Sequence, residues 1–351
     1  MLSYILKRAL AMIPTLFGIL TLIFFITAFV PGGPVDHALE DLNGGGARAE
    51  GGQAEGGWSY SGRKGLSAQD VNNLTALYGF DKSPLERYEL VLTNFLRFDF
   101  GQSYFRNSSV WSLIKERLSV SVALGAWTFI LTYLVSLPLG VAKAVRSGSR
   151  FDFISSLVIL GAYAVPGFVL GVLLIVLFGG GSFWDIFPLR GLVSENWSEL
   201  PLLDKITDYL WHVTLPVIAS VTSHFAMKTL MTKNTFLDEL GRQYVLTARA
   251  KGLSERKVLW KHVFRNALLP LVTAFPMTFI SAFFTGSLLI ETLFSLNGMG
   301  LLLFESIRGR DYPVVLATLY LYALLGLLTK LIGDIGYVLA DPRIKFTSQE
   351  V

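Results

Sequence analysis

The sequence contains no cysteine and is poor in charge. Among its 351 residues there are four His, and only 16% are Asp, Glu, Lys or Arg. The absence of thiols excludes disulfides, thiolate zinc sites, iron–sulfur clusters and thiol nucleophiles. Soluble domains average about 25% charged residues. Because 52% of this chain is hydrophobic, it has too few charges to cover a globule, and a membrane is the expected solvent.

Long stretches without Asp, Glu, Lys or Arg predict the membrane spans. A helix that crosses roughly 30 Å of hydrocarbon needs about 20 mainly apolar residues. The candidate spans lie within 9–30, 117–143, 152–185, 208–228, 265–291 and 311–340. We therefore predict an all-α polytopic membrane protein with six transmembrane helices. The first is longer than the apolar core of a signal peptide and is interpreted as a retained anchor.

These spans predict a division of the chain into four regions. They are an N-terminal transmembrane helix (1–31), a periplasmic loop region (32–117) with a Gly-rich insertion (44–65), a five-helix core (118–341) with a cytoplasmic loop (228–265), and a cytoplasmic tail (342–351). The later part of the periplasmic region has helical spacing of apolar residues. It would either meet an exported partner or pack on its own helices, and both alternatives are open.

The positions of Lys and Arg predict the orientation of the chain. In the short loops they concentrate before the first span and within 143–150, 228–265 and 343–345. Since short positive loops stay on the cytoplasmic side, both termini are predicted to lie in the cytoplasm. The net charge of +4 is then topological, and no nucleic-acid partner is expected.

Candidate catalytic groups are scarce. The sequence has no GxSxG and no HExxH motif, and residues 57–64 only approximate a phosphate-binding loop because the Lys is misplaced. The chain is therefore predicted to be no enzyme, to hold no metal and to bind no cofactor. Lys330 and Asp334 lie one helical turn apart in the last span. They indicate either a lysine that extends to the interface or a proton relay.

The cytoplasmic loop 228–265 is the most informative stretch. A helical pattern stops at Gly252, and Ser254 can cap a second helix that begins with Glu255. Two short helices joined at a glycine would form a compact projection that seats in a groove of a partner. An ordinary basic loop that is attracted to anionic lipid is the alternative.

Specific stretches of the loop resemble a known family. The sequence Thr-Ala-Arg-Ala-Lys-Gly-Leu at 247–253, followed by Arg-Asn-Ala-Leu-Leu-Pro at 265–270, resembles the cytoplasmic EAA-type loop of ABC importer permeases. Leu246 stands where the general pattern opens with Glu, which is similar to the dipeptide/oligopeptide branch. Further similar stretches cover nearly the whole chain: 7–14, 29–34, 78–81, 99–104, 290–295, 310–313 and 341–344. The inserts near 44–65 and 180–191 resemble the first permease subunit of Yej-type oligopeptide and microcin C importers.

The resemblance implies a location in the bacterial inner membrane, a function and a set of partners. The chain would be a non-catalytic permease subunit that translocates oligopeptides, with microcin C-like peptides as one candidate cargo, by alternating access. It would pair with a homologous second permease, ABC ATPase subunits that hold ATP and Mg, and a periplasmic peptide-binding protein. A stand-alone secondary transporter or channel is the alternative.

The resemblance also implies which residues couple to the ATPase. Carried over by motif, they are Thr247, Ala248, Arg249, Ala250, Gly252 and Leu253. Arg249 would meet a carboxylate of the ATPase or a lipid phosphate. The substrate-binding residues stay unknown at this point.

Overall fold

A computed structural model describes the chain over residues 2–29, 82–106, 108–179, 183–284 and 287–340. The Gly-rich insertion at 44–65, the insert core at 180–182 and the tail at 342–351 lie outside these ranges. The helices are, in chain order, α1 (Leu2–Phe29), α2 (Pro84–Leu96), α3 (Val110–Val145), α4 (Arg150–Ala164), α5 (Gly167–Phe178), α6 (Leu202–Leu240), α7 (Gln243–Ala250), α8 (Glu255–Lys257), α9 (Phe264–Ala267), α10 (Leu269–Phe284), α11 (Leu288–Leu293), α12 (Met299–Arg308) and α13 (Tyr312–Ala340).

The all-α membrane class is confirmed. Over the described residues the structure is helical, with a 3-10 turn at Trp197–Glu199, a π-helical turn at Val258–Val263 and no β-structure beyond one isolated bridge. Helix α3 begins at Val110, ahead of the predicted boundary at residue 118. Helix α2 confirms the helical spacing expected before residue 97, and Ser83 with Glu86 forms a reciprocal capping box at its start.

Fewer helices than predicted meet the length and apolarity of a span on their own. In the described ranges there are three, namely Ile5–Ile26 of α1, the whole of α3 and Tyr312–Gly336 of α13, or four if the bent pair α4–α5 counts as one span. The axes of α4 and α5 differ by 91° because Pro166 sits at the break, and proline lacks an N–H and kinks a helix. The predicted spans 208–228 and 265–291 fall in α6 and in α10–α11, where the number of crossings stays a prediction.

The described residues fall into two compact units. Unit 1 lies within Met1–Ala11, Lys115–Leu302 and Leu324–Val351, and unit 2 within Met12–Ile114 and Leu303–Ala323. In unit 1, glycines allow helices to approach closely. A Cβ on Gly167 would come within 2.2 Å of Ser223 Oγ, and one on Gly171 within 2.7 Å of Leu293. The Gly167–Gly171 pair therefore packs α5 tightly against α6 and α11.

In unit 2, two motif stretches that are far apart in sequence meet. Ser103 Oγ donates to Asp311 Oδ2 (2.5 Å) across 208 residues, and the Tyr104 N–H donates to the other carboxylate oxygen (3.0 Å). Arg106 forms an ion pair with Glu305 at 2.7 Å. The aromatic rings of Phe95 and Phe100 pack on Tyr320. These contacts thus hold the two segments of unit 2 together.

The structure buries more charge than the sequence analysis expected. Lys330 and Asp334 were the only ionisable pair predicted within the spans, yet Asp334 pairs with Arg8 at 2.8 Å. Lys143, Asp152, Glu291 and Asp311 are also buried. Their charges lie at helix ends or next to loops, where nearby polar groups compensate for the loss of water.

Candidate functional site

The predicted cytoplasmic loop folds as two short helices and a turn. Residues 228–240 are the last turns of α6, so the loop itself runs from 241 to 267. It is called the coupling loop below, after the role that the resemblance implies. It contains α7, the turn at 251–254, α8, the π-helical turn and α9. Unit 1 contains the whole loop, together with the parts of α3 and α6 on which it packs.

Gly252 ends α7 through its backbone conformation. Its φ is +77°, a left-handed value that side chains of L-residues disfavour. The Gly252 N–H bonds the Arg249 carbonyl (2.9 Å), and the Leu253 N–H bonds the Ala248 carbonyl (3.3 Å). This pair of bonds is a Schellman motif, and it confirms the helix stop predicted at Gly252.

Ser254 occupies the predicted cap position without making the predicted contact. Its backbone is extended (φ −64°, ψ 146°) and precedes α8, but its side chain forms no capping hydrogen bond. Instead, the Ser254 carbonyl accepts the Val258 N–H at 3.0 Å. The position was predicted from residue type alone, which does not determine the side-chain rotamer.

The coupling loop has an apolar core of its own. Ala248 of α7 is only 6% exposed and belongs to one cluster with residues of the neighbouring helices: Val141, Ala144, Phe236, Val245, Val258, Val263 and Ala267. Because this cluster joins the loop to α3 and α6, a displacement of the loop transmits to those two helices through packed side chains.

The six residues carried over by resemblance do not share one surface. Thr247, Arg249, Ala250 and Gly252 are exposed, whereas Leu253 is half-buried and Ala248 faces the loop core. Ala248 therefore supports the shape of the loop rather than its outer face. Whether the exposed four contact an ATPase stays a prediction.

Two large apolar side chains of the loop lie on its surface, and the sequence analysis did not predict their exposure. Leu246 is 51% exposed on α7, and Trp260 is 54% exposed on the π-helical turn, where its ring packs on Phe264 (4.7 Å between centroids). A large apolar residue in a highly charged loop is a signal that could have indicated them. Tryptophan is enriched among the residues that anchor protein interfaces, so Trp260 is the stronger candidate for such a contact.

Arg249 forms an ion pair with a carboxylate of the same loop. Its guanidinium donates to both oxygens of Glu255, from Nε to Oε1 (2.9 Å) and from Nη2 to Oε2 (3.1 Å). This fork spans the Gly252 turn and clamps α7 to α8. Both side chains are exposed enough for the pair to open and exchange partners.

The start of α7 is anchored by a tyrosine. Tyr244 donates from its hydroxyl to Glu239 Oε2 at 2.5 Å. Burial, and then the adjacent Glu239 carboxylate, raise the pKa of Tyr244 above its ordinary value. The hydroxyl is therefore protonated at neutral pH and keeps donating to the end of α6.

A charge cluster lies next to the coupling-loop core. Lys143 of α3 is fully buried, and its Nζ bonds the Asp152 carbonyl (2.9 Å), Ser155 Oγ (2.7 Å) and Ser156 Oγ (2.8 Å). Asp152 Oδ1 lies 3.0 Å from Lys143 Nζ, and both of its oxygens lie 2.8 Å from Lys233 Nζ of α6. This Asp152 cluster fastens α3, α4 and α6 to one another.

A second arrangement of buried polar groups orders the segment after α11. Glu291 is fully buried and accepts from Ser121 Oγ (3.1 Å), the Ser287 N–H (3.2 Å) and the Leu301 N–H (2.8 Å). A Cβ on Gly298 would strike the Glu291 carboxylate at 2.3 Å. The stretch 290–295, noted in the sequence for its resemblance, thus supplies the carboxylate around which this segment folds.

The described residues form a helical protein with long apolar helices, and comparison with known proteins gives its family. The family of binding-protein-dependent transport system inner membrane components matches residues 136–346, which include the Asp152 cluster and the coupling loop. The chain belongs to this family.

Curated relatives match along the full length of the chain. It is 53% identical to the inner membrane ABC transporter permease protein YejB of Escherichia coli O157:H7, over 98% of this chain and 99% of that protein. It is 51% identical to the peptidoglycan transport system permease protein YejB of Agrobacterium fabrum, over 99% and 100%. It is 33% identical to the oligopeptide transport system permease protein AppB of Bacillus subtilis, over 99% and 100%. The Yej-type resemblance expected from the sequence is confirmed.

Proposed function

We propose that this chain is a transmembrane permease subunit of an ATP-driven ABC importer that moves oligopeptides from the periplasm to the cytoplasm. The names of its relatives, which include oligopeptide and peptidoglycan transport permeases, support the substrate class. The observation that carries the proposal is the coupling loop, because its exposed face is backed by an apolar core shared with α3 and α6.

The proposal assigns the chemistry to partner subunits. ABC ATPase subunits bind ATP and Mg, a homologous second permease completes the path, and a periplasmic peptide-binding protein delivers the cargo. Microcin C-like peptides and peptide-bearing peptidoglycan fragments are candidate cargoes. Both termini lie in the cytoplasm, and the apolar side chains exposed on α4, among them Phe153, Ile154 and Leu157, face membrane lipid.

The packing of the loop against other helices supports alternating access as the mechanism. ATP binding closes the ATPase dimer, and the exposed residues of α7 follow that movement. The loop core and the Asp152 cluster pass it to α3, α4 and α6, since a packed interior moves as a unit. ATP shifts the equilibrium only by the difference between its binding to the inward-open and the outward-open state.

A stand-alone secondary transporter or channel is the second candidate. It would need an intramembrane carboxylate or histidine relay. Asp334 was the sequence candidate for such a relay, but it pairs with Arg8 at 2.8 Å. This pairing favours the importer.

Reconstitution tests the proposal. The chain is placed in liposomes alone, with the second permease, and with the ATPase and peptide-binding subunits, and uptake of a labelled oligopeptide is measured with and without ATP. We expect uptake only in the complete assembly with ATP. ATP-independent uptake by the chain alone would instead establish the secondary transporter.

A further inference from the structure

Unit 1 contains a mainly apolar cavity with several polar side chains in its lining. Its volume is about 570 Å³, and residues of α3, α4, α5, α6, α10 and α11 line it. Pockets of about 300–1,000 Å³ are typical of sites for small organic ligands. Side chains that face hydrocarbon are apolar, whereas this cavity carries Ser220, Ser223, His224, Lys228 and Thr278.

Lys228 of α6 is held in this cavity without a carboxylate partner in the described ranges. Its Nζ donates to Thr278 Oγ1 at 3.1 Å and lies 5.3 Å from the centre of the Tyr133 ring. An ammonium group has three N–H donors. The side chain is therefore positioned over an aromatic face and retains donors for another acceptor.

Other polar groups of the cavity also have unused hydrogen-bonding capacity. Within the described part of the chain, Thr132 Oγ1 and the Tyr133 hydroxyl are buried and make no hydrogen bond. His224 lies one helical turn before Lys228 and is exposed at the cavity. A set of unpaired donors around a cation is what an anionic ligand needs, whereas a purely structural cluster would pair them internally.

The only carboxylate among the residues that line this cavity, Glu291, has other hydrogen-bond partners. Glu291 accepts from Ser121 Oγ and from the N–H groups of Ser287 and Leu301. Its oxygens are occupied by the segment that it orders, and it forms no ion pair among the described residues with Lys228. The positive charge of Lys228 therefore faces the cavity.

Two other lysines of unit 1 have a structural role, and their surroundings differ from those of Lys228. Lys143 has four oxygen atoms within 3.0 Å, and Lys233 bonds both oxygens of Asp152. Lys228 lies on the same helix as Lys233 and has neither kind of surrounding. Its environment is that of a binding group rather than of a helix joint.

We infer that this cavity is a carboxylate-binding subsite on the peptide path, in which Lys228 with the Tyr133 hydroxyl receives the C-terminal carboxylate of an oligopeptide in transit, while Thr278, whose hydroxyl donates to the Ala274 carbonyl, holds the Lys228 ammonium in place. The inference rests on the proposed function and names a recognition step within it. Every unmodified peptide has this carboxylate whatever its side chains, so one lysine can serve a permease that accepts many sequences. The apolar lining, with Phe129, Phe168 and Leu289, suits the peptide side chains.

A pair of peptides with one sequence tests the subsite in the complete importer in liposomes. One has a free C-terminal carboxylate and the other a C-terminal amide, and the uptake rate of each is measured for the wild type and for Lys228→Gln. We expect Lys228→Gln to lower uptake of the free acid about tenfold, as for the loss of one charge-assisted hydrogen bond, and to leave uptake of the amide nearly unchanged. Dividing each variant rate by the wild-type rate removes any preference of the peptide-binding protein.

Two further variants keep the result interpretable. Lys205→Gln is the matched control, because Lys205 lies on the same helix with its Nζ 5.2 Å over the Trp197 ring, outside the cavity. Lys228→Arg keeps the charge and should retain more acid uptake than Lys228→Gln. An equal fall for acid and amide, or no fall for either, would overturn the subsite. If the wild-type importer takes up neither peptide, the proposed function fails instead.

Discussion

Two lysines of α6 that lie five positions apart show opposite uses of a charge inside a membrane protein. Lys233 is bound to Asp152, which also neutralises the fully buried Lys143. Lys228 has a hydroxyl and an aromatic ring beside it, and it borders a cavity. The first arrangement leaves no unpaired carboxylate and joins three helices, whereas the second leaves donors available.

Two alanines of the coupling loop show a similar contrast. Ala248 and Ala250 are two residues apart on α7, about 200° around the helix axis. Ala248 packs in the loop core and Ala250 is exposed. In each region one residue maintains the structure, and the other is available to a ligand or a partner.

The largest expected effect comes from breaking the Asp152 cluster. Asp152→Asn leaves Lys143 as a buried cation without its counterion, and we expect a loss of about 3–5 kcal/mol in the free energy of unfolding. Thermal unfolding of the purified chain in detergent measures it. Asp238→Asn, an exposed position on α6, is the control and should change stability little. The double variant Asp152→Asn/Lys143→Met should recover part of the loss, and no recovery would contradict the charge-pair explanation.

The next effect separates the two faces of α7. Ala248→Leu overpacks the loop core and should cost about 1–3 kcal/mol of stability. Ala250→Leu adds the same atoms on the exposed face, so stability should stay within about 0.5 kcal/mol while ATPase retention falls about tenfold. Unfolding and co-purification of the ATPase are measured for both. Normal ATPase retention with Ala250→Leu would refute docking through this face.

A smaller effect is expected at the helix stop. Gly252→Ala keeps open space around the new Cβ but forces an L-residue to φ +77°, which costs about 1–2 kcal/mol. Gly252→Asn should cost less, because asparagine tolerates the left-handed conformation. Thermal unfolding of the two variants gives the order. Equal stability of Ala and Asn would show that backbone conformation does not determine this position.

The smallest effect is expected at the Arg249–Glu255 pair. Either Arg249→Gln or Glu255→Gln should lower stability by roughly 0–1 kcal/mol, since both side chains are exposed. Their comparison is more informative than their size. If Arg249 also meets a carboxylate of the ATPase, Arg249→Gln weakens co-purification of the ATPase more than Glu255→Gln does. Equal co-purification restricts Arg249 to its role within the loop.

Local features of this protein could be predicted from the sequence because local interactions determine them. Low charge and long apolar stretches indicate membrane helices, since hydrocarbon excludes unpaired polar groups. The stop of α7 at Gly252 follows from the backbone freedom of glycine. The Yej-type resemblance rests on motifs read in order along the chain, and the relatives confirm it.

Only the tertiary structure decided which side chains meet. Ser103 and Asp311 are separated by 208 residues, and Ser121 and Glu291 by 170, and no spacing rule connects residues at such distances. Helical geometry puts Ala248 and Ala250 on opposite sides of α7, but the cluster with Val245 and Phe236 determines which of them faces inward. The cavity likewise depends on tertiary structure, because residues of six helices line it.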